Sequence, residues 1–166
     1  MKRIYLIGFM GCGKSTVSDY ISRQYGWKRI EMDAQIVSEQ GKEISDIFAE
    51  MGEEYFRNLE TDLLKRIAAE EEDCVVSCGG GTAMREENVE IMKKSGRIVW
   101  LQVKPETVYH RVKNSHTRPL LEGNMNVSYI EELLNKRIPA YARAADLSVD
   151  TDGKSPEEIA RAVLCM

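Results

Sequence analysis

One short segment restricts the fold of this chain more than any other. Gly8-Phe9-Met10-Gly11-Cys12-Gly13-Lys14-Ser15 has the spacing G-x-x-x-x-G-K-[ST], with an apolar run before it and helically spaced apolar residues after it. The glycines allow the backbone to turn tightly, so that successive N–H groups point to one place at the start of a helix. The sequence therefore predicts a strand, a phosphate-binding loop and a helix in that order.

The two residues that end this motif predict a nucleotide phosphate as its ligand. Lys14 is expected to reach the β and γ phosphates, and the hydroxyl of Ser15 is expected to bind Mg²⁺. A glycine-rich turn that binds no anion is the alternative, but it gives Lys14 no reason to lie in the loop. The motif leaves the phosphate acceptor open, because switches, motors and small-molecule kinases share it.

Two observations favour a small kinase among these classes. The guanine-selecting pattern Asn/Thr-Lys-x-Asp is not found, since Asn135-Lys136-Arg137-Ile138 lacks the aspartate. A chain of 166 residues is also short for a motor or helicase core.

Strand-like runs alternate with segments of helical spacing along the chain. Five runs rich in β-formers are predicted as strands: residues 3–7, 27–31, 74–77, 97–103 and 146–149. This alternation favours parallel strands joined by right-handed helical crossovers, hence an α/β fold of three layers. Because 43% of the residues are apolar and no linker or repeat interrupts the chain, residues 1–166 are predicted to form one domain.

Composition argues against several partners and environments. A formal charge of −4 is not typical of a sequence-independent nucleic-acid binder. No stretch approaches the roughly 18 apolar residues that span a bilayer, and the N-terminus lacks a secretory pattern. The four cysteines show no C-x-x-C spacing, which indicates reduced thiols. We expect a cytoplasmic monomer that binds small molecules, but neither nucleic acid nor a membrane.

Two acidic residues, Glu31 and Asp33, follow the second predicted strand. They flank one residue and lie on the same side of an extended segment, which suits one metal-facing and one substrate-facing role. The alternative is that Asp33 caps a helix beginning at Ala34.

Two further clusters lie later in the chain. Arg57 and Glu60 are three apart on a predicted helix, where a surface ion pair is the common explanation. Gly79, Gly80 and Gly81 follow an apolar run. Consecutive glycines are costly to order, so they predict the close approach of a ligand or another backbone, with a flexible loop as the alternative.

Taken together, these motifs resemble the shikimate kinase family over essentially the whole chain. The shared segments are IYLIGFMGCGKST, the acidic pair ending at Asp33, IFAEMGEEYFRNLE, the GGG loop, VWLQV, TRPLL and KRIPAY. The resemblance implies a P-loop kinase fold with a five-stranded parallel sheet flanked by helices and a mobile lid at about 114–125. It implies transfer of the γ-phosphoryl group of ATP to the 3-hydroxyl of shikimate, in the pathway through chorismate to the aromatic amino acids.

The resemblance also implies roles for individual residues. Asp33 matches the aspartate that binds the acceptor hydroxyls and acts as a base, and Arg118 matches a lid arginine that, with Lys14, is catalytic at the phosphates. The implied ATP contacts are Gly11, Cys12, Gly13, Lys14, Ser15, Thr16, Arg111 and Arg118. The implied residues of the shikimate site are Asp33, Arg57, Glu60, Gly79, Gly80, Gly81 and Arg137, with Glu60 matching an acid that orients an arginine. The implied Mg²⁺ site is Ser15 with Glu31.

Glu31 departs from the family pattern, which has an aspartate near the metal. Its additional methylene group changes the reach of the carboxylate, so direct contact with Mg²⁺ and contact through water both stay open. Two alternatives in function also stay open. The first is a kinase of the same fold that acts on another polyol acid, such as gluconate. The second is a nucleotide-binding regulatory module without catalysis, which the presence of Lys14, Ser15, Asp33 and Arg118 in one chain disfavours.

Overall fold

Five parallel strands form the centre of the fold. The computed structural model describes residues 2–113 and 126–165. Its strands are β1 (Arg3–Ile7), β2 (Lys28–Glu31), β3 (Cys74–Ser77), β4 (Arg97–Gln102) and β5 (Leu147–Asp150). They are hydrogen-bonded in the order β2-β3-β1-β4-β5, and every pair is parallel. The predicted parallel sheet is thus confirmed, and the strand ends differ from the prediction by no more than one residue.

Helices connect the strands and cover both faces of the sheet. They are α1 (Lys14–Tyr25), α2 (Met32–Gln40), α3 (Ile44–Met51), α4 (Glu53–Ala68), α5 (Glu86–Ser95), α6 (Pro105–Val112), α7 (Val127–Ala144) and α8 (Pro156–Leu164). A short 3-10 turn, Thr82–Met84, lies between β3 and α5. The expected lid at about 114–125, including Arg118, lies outside the described residues.

Alternate side chains of the central strands enter two separate cores. Tyr5 and Ile7 of β1 pack in the larger core, with buried residues of α2 to α7. Ile4 and Leu6 pack on the opposite face, against α1 and α8. Because both faces are covered, β1 is buried along its whole length, as is typical of a central parallel strand. The result is the three-layer α/β arrangement that the sequence predicts.

Local signals explain where several helices begin and end. Ser155 accepts a hydrogen bond from the Glu158 N–H, and Glu158 bonds back to Ser155, which forms a capping box at the start of α8. Gly26 ends α1 in the left-handed conformation and donates its N–H to the Ser22 carbonyl. The start of α2 differs from the expectation. It begins at Met32, so Asp33 lies within the first turn and does not cap a helix beginning at Ala34.

The strand order places a ligand-binding crevice at the end of β1. Strands β2 and β3 lie on one side of β1, whereas β4 and β5 lie on its other side, so the direction in which the sheet grows reverses at β1. In open α/β sheets, ligands bind beyond the carboxyl ends of the strands at such a reversal. Within residues 2–113 and 126–165, no helix has the length and apolar character to cross a membrane.

Candidate active site

A cavity of about 550 Å³ opens at the carboxyl edge of the sheet, where β1, β2 and β3 end. Most of its wall comes from the β1–α1 loop and from the residues that follow β2 and β3. The lining residues are 10–17, Glu31, Asp33, Ala34, 77–80, Arg111, Val112, Lys154, Pro156 and Ile159. The phosphate-binding motif and both predicted acidic residues therefore face one space.

The β1–α1 loop has the backbone that its glycines allow. Gly8, Gly11 and Gly13 have positive φ angles of 145°, 78° and 98°. A Cβ atom at Gly8 would also lie only 2.6 Å from the carbonyl oxygen of Leu101 on β4. Any other residue at position 8 would strain the backbone and collide with β4. The glycine therefore serves both the turn and the packing of the loop against the sheet.

Lys14 places its ammonium group within this loop. Nζ donates to the carbonyl oxygens of Gly8 at 2.6 Å and Phe9 at 3.2 Å. The side chain is buried, and so is the Cys12 thiol, whose Sγ lies 3.7 Å from Nζ. A positive charge is therefore fixed where the motif predicts a nucleotide phosphate.

The first turn of α1 presents its N–H groups to the cavity. The residue before α1 is Gly13, which has no side chain to cap those groups, so they stay available to an anion. Arg111 on α6 donates from Nη1 to the Gly11 carbonyl at 2.6 Å and lines the same cavity. Positive charge thus comes from Lys14, from Arg111 and from the helix terminus.

Ser15 and Glu31 offer the oxygen atoms that suit a magnesium ion. The Ser15 hydroxyl donates to Oε2 of Glu31 at 3.0 Å. The other oxygen, Oε1, accepts from Ser18 Oγ at 2.9 Å and from Arg29. Among the described residues, no group of three or more His, Cys, Asp or Glu side chains could hold a metal. The pair nevertheless fits Mg²⁺, which in nucleotide sites takes one or two protein oxygens and completes its shell with phosphates and water.

Asp33 lines the cavity and lies beside the glycine loop that follows β3. A Cβ atom at Gly79 would lie 3.0 Å from Oδ1 of Asp33 and 2.7 Å from Oε2 of Glu60. The absence of a side chain at Gly79 is therefore what allows both carboxylates to approach the loop. Close approach, rather than flexibility, explains the glycine at this position.

Arg57 and Glu60 form a buried ion pair, so the surface pair considered from the sequence is wrong. The Glu60 side chain is 0% exposed, that of Arg57 is 16% exposed, and Nη1 lies 2.7 Å from Oε1. Burial raises the pKa of Glu60, while Arg57 and the Thr82 hydroxyl act to lower that pKa. A Cβ atom at Gly81 would lie 2.6 Å from both terminal nitrogens of Arg57. The guanidinium group thus packs directly against the loop.

Arg137 approaches the same loop from α7. Its Nη1 would lie 3.0 Å from a Cβ atom at Gly80, and its guanidinium carbon lies 5.6 Å from the centre of the Phe9 ring. Tyr141, one turn later, donates its buried hydroxyl to the Gly80 carbonyl at 2.5 Å. Two arginines from different helices therefore meet at consecutive glycines, next to the cavity that contains Asp33.

Comparison with known proteins agrees with this geometry. The family model described as shikimate kinase matches residues 10–166. The chain belongs to the shikimate kinase family. A shikimate kinase from Persephonella marina is 43% identical over 164 residues, which cover 99% of this chain and 98% of the relative.

Two solved structures have the same architecture over nearly the whole chain. The shikimate kinase from Acinetobacter baumannii in complex with shikimate has a TM-score of 0.93 and 30% identity, covering 99% of this chain and 91% of that one. The shikimate kinase from Aquifex aeolicus has a TM-score of 0.83 and 37% identity, covering 98% of this chain and 94% of that one. The fold of this chain is therefore that of solved shikimate kinases.

Most of the predicted site residues lie together. The ATP-side residues 11–16 and Arg111 line the cavity with Glu31, Asp33, Gly79 and Gly80. Gly81, the last residue of the glycine loop, does not line it, and neither do Arg57, Glu60 and Arg137, which contact that loop. Their individual roles stay predictions.

Sequence reasoning missed several residues of the site. Lys154 and Pro156 line the cavity between β5 and α8, and their position after a strand at the carboxyl edge was a signal for them. Three further residues, Arg29, Thr82 and Tyr141, donate hydrogen bonds to predicted site residues. Nothing in the local sequence pattern indicates those partners.

Proposed function

We propose that this chain transfers the γ-phosphoryl group of ATP to the 3-hydroxyl of shikimate and forms shikimate 3-phosphate. One observation carries the acceptor assignment. Arg57 and Arg137 meet at a glycine loop, and that loop also contacts Asp33 beside the phosphate-binding cavity. Planar guanidinium groups bind a carboxylate, and an ionised aspartate accepts from a hydroxyl, so the three residues suit a small hydroxy acid.

The β1–α1 loop binds the nucleotide phosphates. The N–H groups at the start of α1 point to the β and γ phosphates, and Lys14 exchanges its contacts with the loop carbonyls for phosphate oxygens. Arg111, which is anchored to the Gly11 carbonyl, adds a cation at the nucleotide side. These groups stabilise the negative charge that spreads over the transferring phosphoryl group.

Ser15 and Glu31 would hold the magnesium ion of Mg-ATP. Bound there, Mg²⁺ neutralises charge on the β and γ phosphates. Ser15 supplies a hydroxyl oxygen, and Glu31 supplies Oε2, which already lies within hydrogen-bonding distance of that hydroxyl. The protein thus contributes few oxygens, which leaves room for phosphate and water in the shell.

The acceptor half of the site positions one hydroxyl group for attack. Arg57 and Arg137 bind the carboxylate of shikimate, and Asp33 accepts the proton of the attacking hydroxyl. The hydroxyl oxygen forms the new bond to the γ phosphorus as the bond to the β–γ bridging oxygen breaks, and ADP leaves. Gly79 to Gly81 leave space for the acceptor ring because they have no side chains. Closure of a lid at about 114–125, with Arg118 at the phosphates, is part of this proposal and would exclude water.

Acceptor-dependent ADP release tests this function. Purified protein with Mg-ATP should release ADP with shikimate, and not with quinate, gluconate or no acceptor. Proton and phosphorus NMR of the product should show phosphate on the 3-oxygen. Release with gluconate alone would overturn the acceptor, and nucleotide binding without any acceptor-dependent release would favour the regulatory module. Lys14→Met is the matched negative control, because it keeps most of the unbranched side chain and removes the charge.

The role in aromatic biosynthesis has a test in living cells. Expression of the chain in a bacterium that lacks shikimate kinase activity should restore growth without added aromatic amino acids. The Asp33→Asn variant, expressed to the same level, should not restore growth.

A further inference from the structure

Thr82 lies at the edge of the acceptor site, although no pattern in the sequence singles it out. It is the first residue of the 3-10 turn that follows Gly81, and it is completely buried. Its hydroxyl donates to Oε2 of Glu60 at 2.7 Å. The hydroxyl is thus bonded to the carboxylate that holds Arg57.

The Glu60 carboxylate divides its two oxygens between two donors. Oε1 accepts from Arg57 at 2.7 Å, and Oε2 accepts from Thr82. A buried carboxylate oxygen without a donor costs several times the free energy of an ordinary hydrogen bond. Without the hydroxyl, Oε2 would lose this donor, and rotation of the carboxylate toward another donor would weaken its contact with Arg57.

Asp33 makes the orientation of Oε2 important for the acceptor site. A Cβ atom at Gly79 would lie 2.7 Å from Glu60 Oε2, 3.0 Å from Asp33 Oδ1 and 3.3 Å from Thr82 Oγ1. All three oxygens therefore lie around one point of the loop. The proton of Thr82 lies on the bond to Oε2, so it offsets part of the negative charge that Glu60 presents near Asp33.

We propose that Thr82 is a positioning residue of the acceptor site, which acts through Glu60 to hold the Arg57 guanidinium group against Gly81. The proposal rests on the proposed function, since it assigns Arg57 to the carboxylate of shikimate. Thr82 itself does not touch the substrate. Its hydroxyl fixes Oε2, the fixed carboxylate presents Oε1 to Arg57, and Arg57 keeps the orientation that binds the acceptor.

The backbone of Thr82 has an anchor that does not depend on the hydroxyl. Asn88 donates from Nδ2 to the Thr82 carbonyl at 2.9 Å, and Oδ1 of Asn88 accepts from the Thr61 hydroxyl on α4 at 2.7 Å. The turn is therefore joined to α4 twice, once through its backbone and once through the Thr82 hydroxyl. Removing the hydroxyl alone should leave the turn in place, which makes its effect on Arg57 separable from folding.

The test compares Thr82→Val, which keeps the shape and removes the donor, with Thr82→Ser, which keeps the donor. Thr82→Val should raise the KM for shikimate about tenfold, the size expected when one hydrogen bond to a charged group is lost. The KM for ATP should not change, and Thr82→Ser should return the KM for shikimate to the wild-type range. An unchanged KM for shikimate in Thr82→Val would overturn the proposal, as would a Thr82→Ser variant as impaired as Thr82→Val.

Thr151→Val is the matched structural control. It removes the hydroxyl of another buried threonine, which donates to the Gln102 carbonyl at 2.7 Å rather than to Glu60 or Arg57. It should lower Tm and leave the KM for shikimate unchanged. An equal rise in the KM for shikimate in Thr151→Val would show that general loosening, and not the donor to Glu60, is the cause.

A second readout does not depend on the substrate. In ¹⁵N NMR of the protein without ligands, the Nη1–H signals of Arg57, whose Nη1 donates to Glu60, should exchange faster with water in Thr82→Val than in wild type and Thr82→Ser. Unchanged exchange would overturn the positioning role even if wild type proved inactive on shikimate, an outcome that would overturn the proposed function by itself. Should Thr82→Val not fold, Thr82→Ala gives the same comparison with a smaller side chain.

Discussion

Arg29 donates two hydrogen bonds to a single oxygen of Glu31, from Nη2 at 2.7 Å and from Nε at 3.1 Å. Both bonds go to Oε1, which leaves Oε2 directed at the Ser15 hydroxyl, 3.0 Å away. Arg29 also donates to the Ser15 carbonyl at 3.1 Å. The longer side chain of Glu31 is therefore held against the first turn of α1, with one oxygen free of Arg29 on the side of the proposed metal.

Replacing Arg29 with methionine should weaken binding of the magnesium complex of ATP. Without Arg29, the Glu31 carboxylate has more rotamers available and Oε2 is no longer held at Ser15. The loss expected for an outer-shell partner is about tenfold or more in metal-dependent affinity. Calorimetric titration with ATP should show this loss with Mg²⁺ present, and little change with EDTA.

Arg23→Met is the control for this variant. Arg23 is highly exposed and pairs with Asp19, which Arg29 also contacts. It therefore shares a partner with Arg29, but its own ion pair is with Asp19 and not with Glu31. Its replacement should change neither titration. An equal loss of affinity with and without Mg²⁺ in Arg29→Met would show that Arg29 supports the phosphate loop and not the metal ligands.

Asp33→Asn should remove turnover and leave nucleotide binding intact. The amide cannot accept the proton of the acceptor hydroxyl, and loss of a general base costs about 10² to 10⁴ in rate. Asp33 lies beside Gly79, on the side of the cavity that the proposal assigns to the acceptor, so ATP affinity should persist. ADP release and ATP calorimetry on one preparation check both halves of this prediction. Loss of both together would place Asp33 on the nucleotide side.

Arg57→Lys and Arg137→Lys should each raise the KM for shikimate about ten- to a hundredfold, because lysine keeps the charge and loses the planar pair of donors. Arg66→Lys is the control. It lies on α4 like Arg57 and binds both oxygens of Glu39, at 2.7 and 2.8 Å, but outside the site. Its kinetics should match wild type. If Arg57→Lys or Arg137→Lys bound shikimate as tightly as wild type, that arginine would have no place in the carboxylate site.

The Glu39–Arg66 pair should make stability depend on pH in the acid range. Hydrogen bonds that Glu39 accepts from Arg66 and Gln35 lower the pKa of Glu39 from 4.5 to about 2. A depressed pKa in the folded state adds stability above about pH 4.5, and that stability is lost as the pH falls toward 2. Glu39→Gln should therefore lower the free energy of unfolding at neutral pH, by no more than about 1 kcal/mol because the pair is solvent-exposed.

Thermal unfolding at several pH values checks this. The difference between Glu39→Gln and wild type should shrink steadily below about pH 4.5. A difference that stayed constant down to about pH 2 would mean that packing, and not the charge of Glu39, is responsible.

The sequence was sufficient for the parts of the fold that depend on local patterns. Runs of apolar β-formers located β1 and β3 without error, because parallel strands buried on both faces have no polar alternation. The glycines and Lys14 located the phosphate loop, because their spacing along the chain determines where the backbone turns and where the ammonium group lies. Family resemblance brought in Arg137 and assigned acceptor-side roles to Asp33 and Arg57, which the sequence had already singled out.

Other features depend on contacts between distant segments. From the sequence, Arg57 and Glu60 fit a surface pair, since helical spacing does not reveal that Gly81 and Thr82 cover them. Glu31 was recognised, but Arg29 was not, because only the packing of β2 beside α1 brings its guanidinium to Ser15 and Glu31. In both cases the residue types were visible in the sequence, but the burial of the residues and their contacts with distant segments were not.

The approach of Gly8 to the Leu101 carbonyl links the phosphate loop to a strand formed much later in the chain. A peptide containing only the motif would have the glycines of the turn but would lack β4, against which the turn packs. ATP should therefore recognise the assembled sheet and have little affinity for unfolded chains. A ligand with that preference adds about 2.7 kcal/mol to stability at about a hundred times its Kd. The nucleotide that the enzyme consumes thus also protects it from unfolding, so depletion of ATP would reduce both its rate and its lifetime.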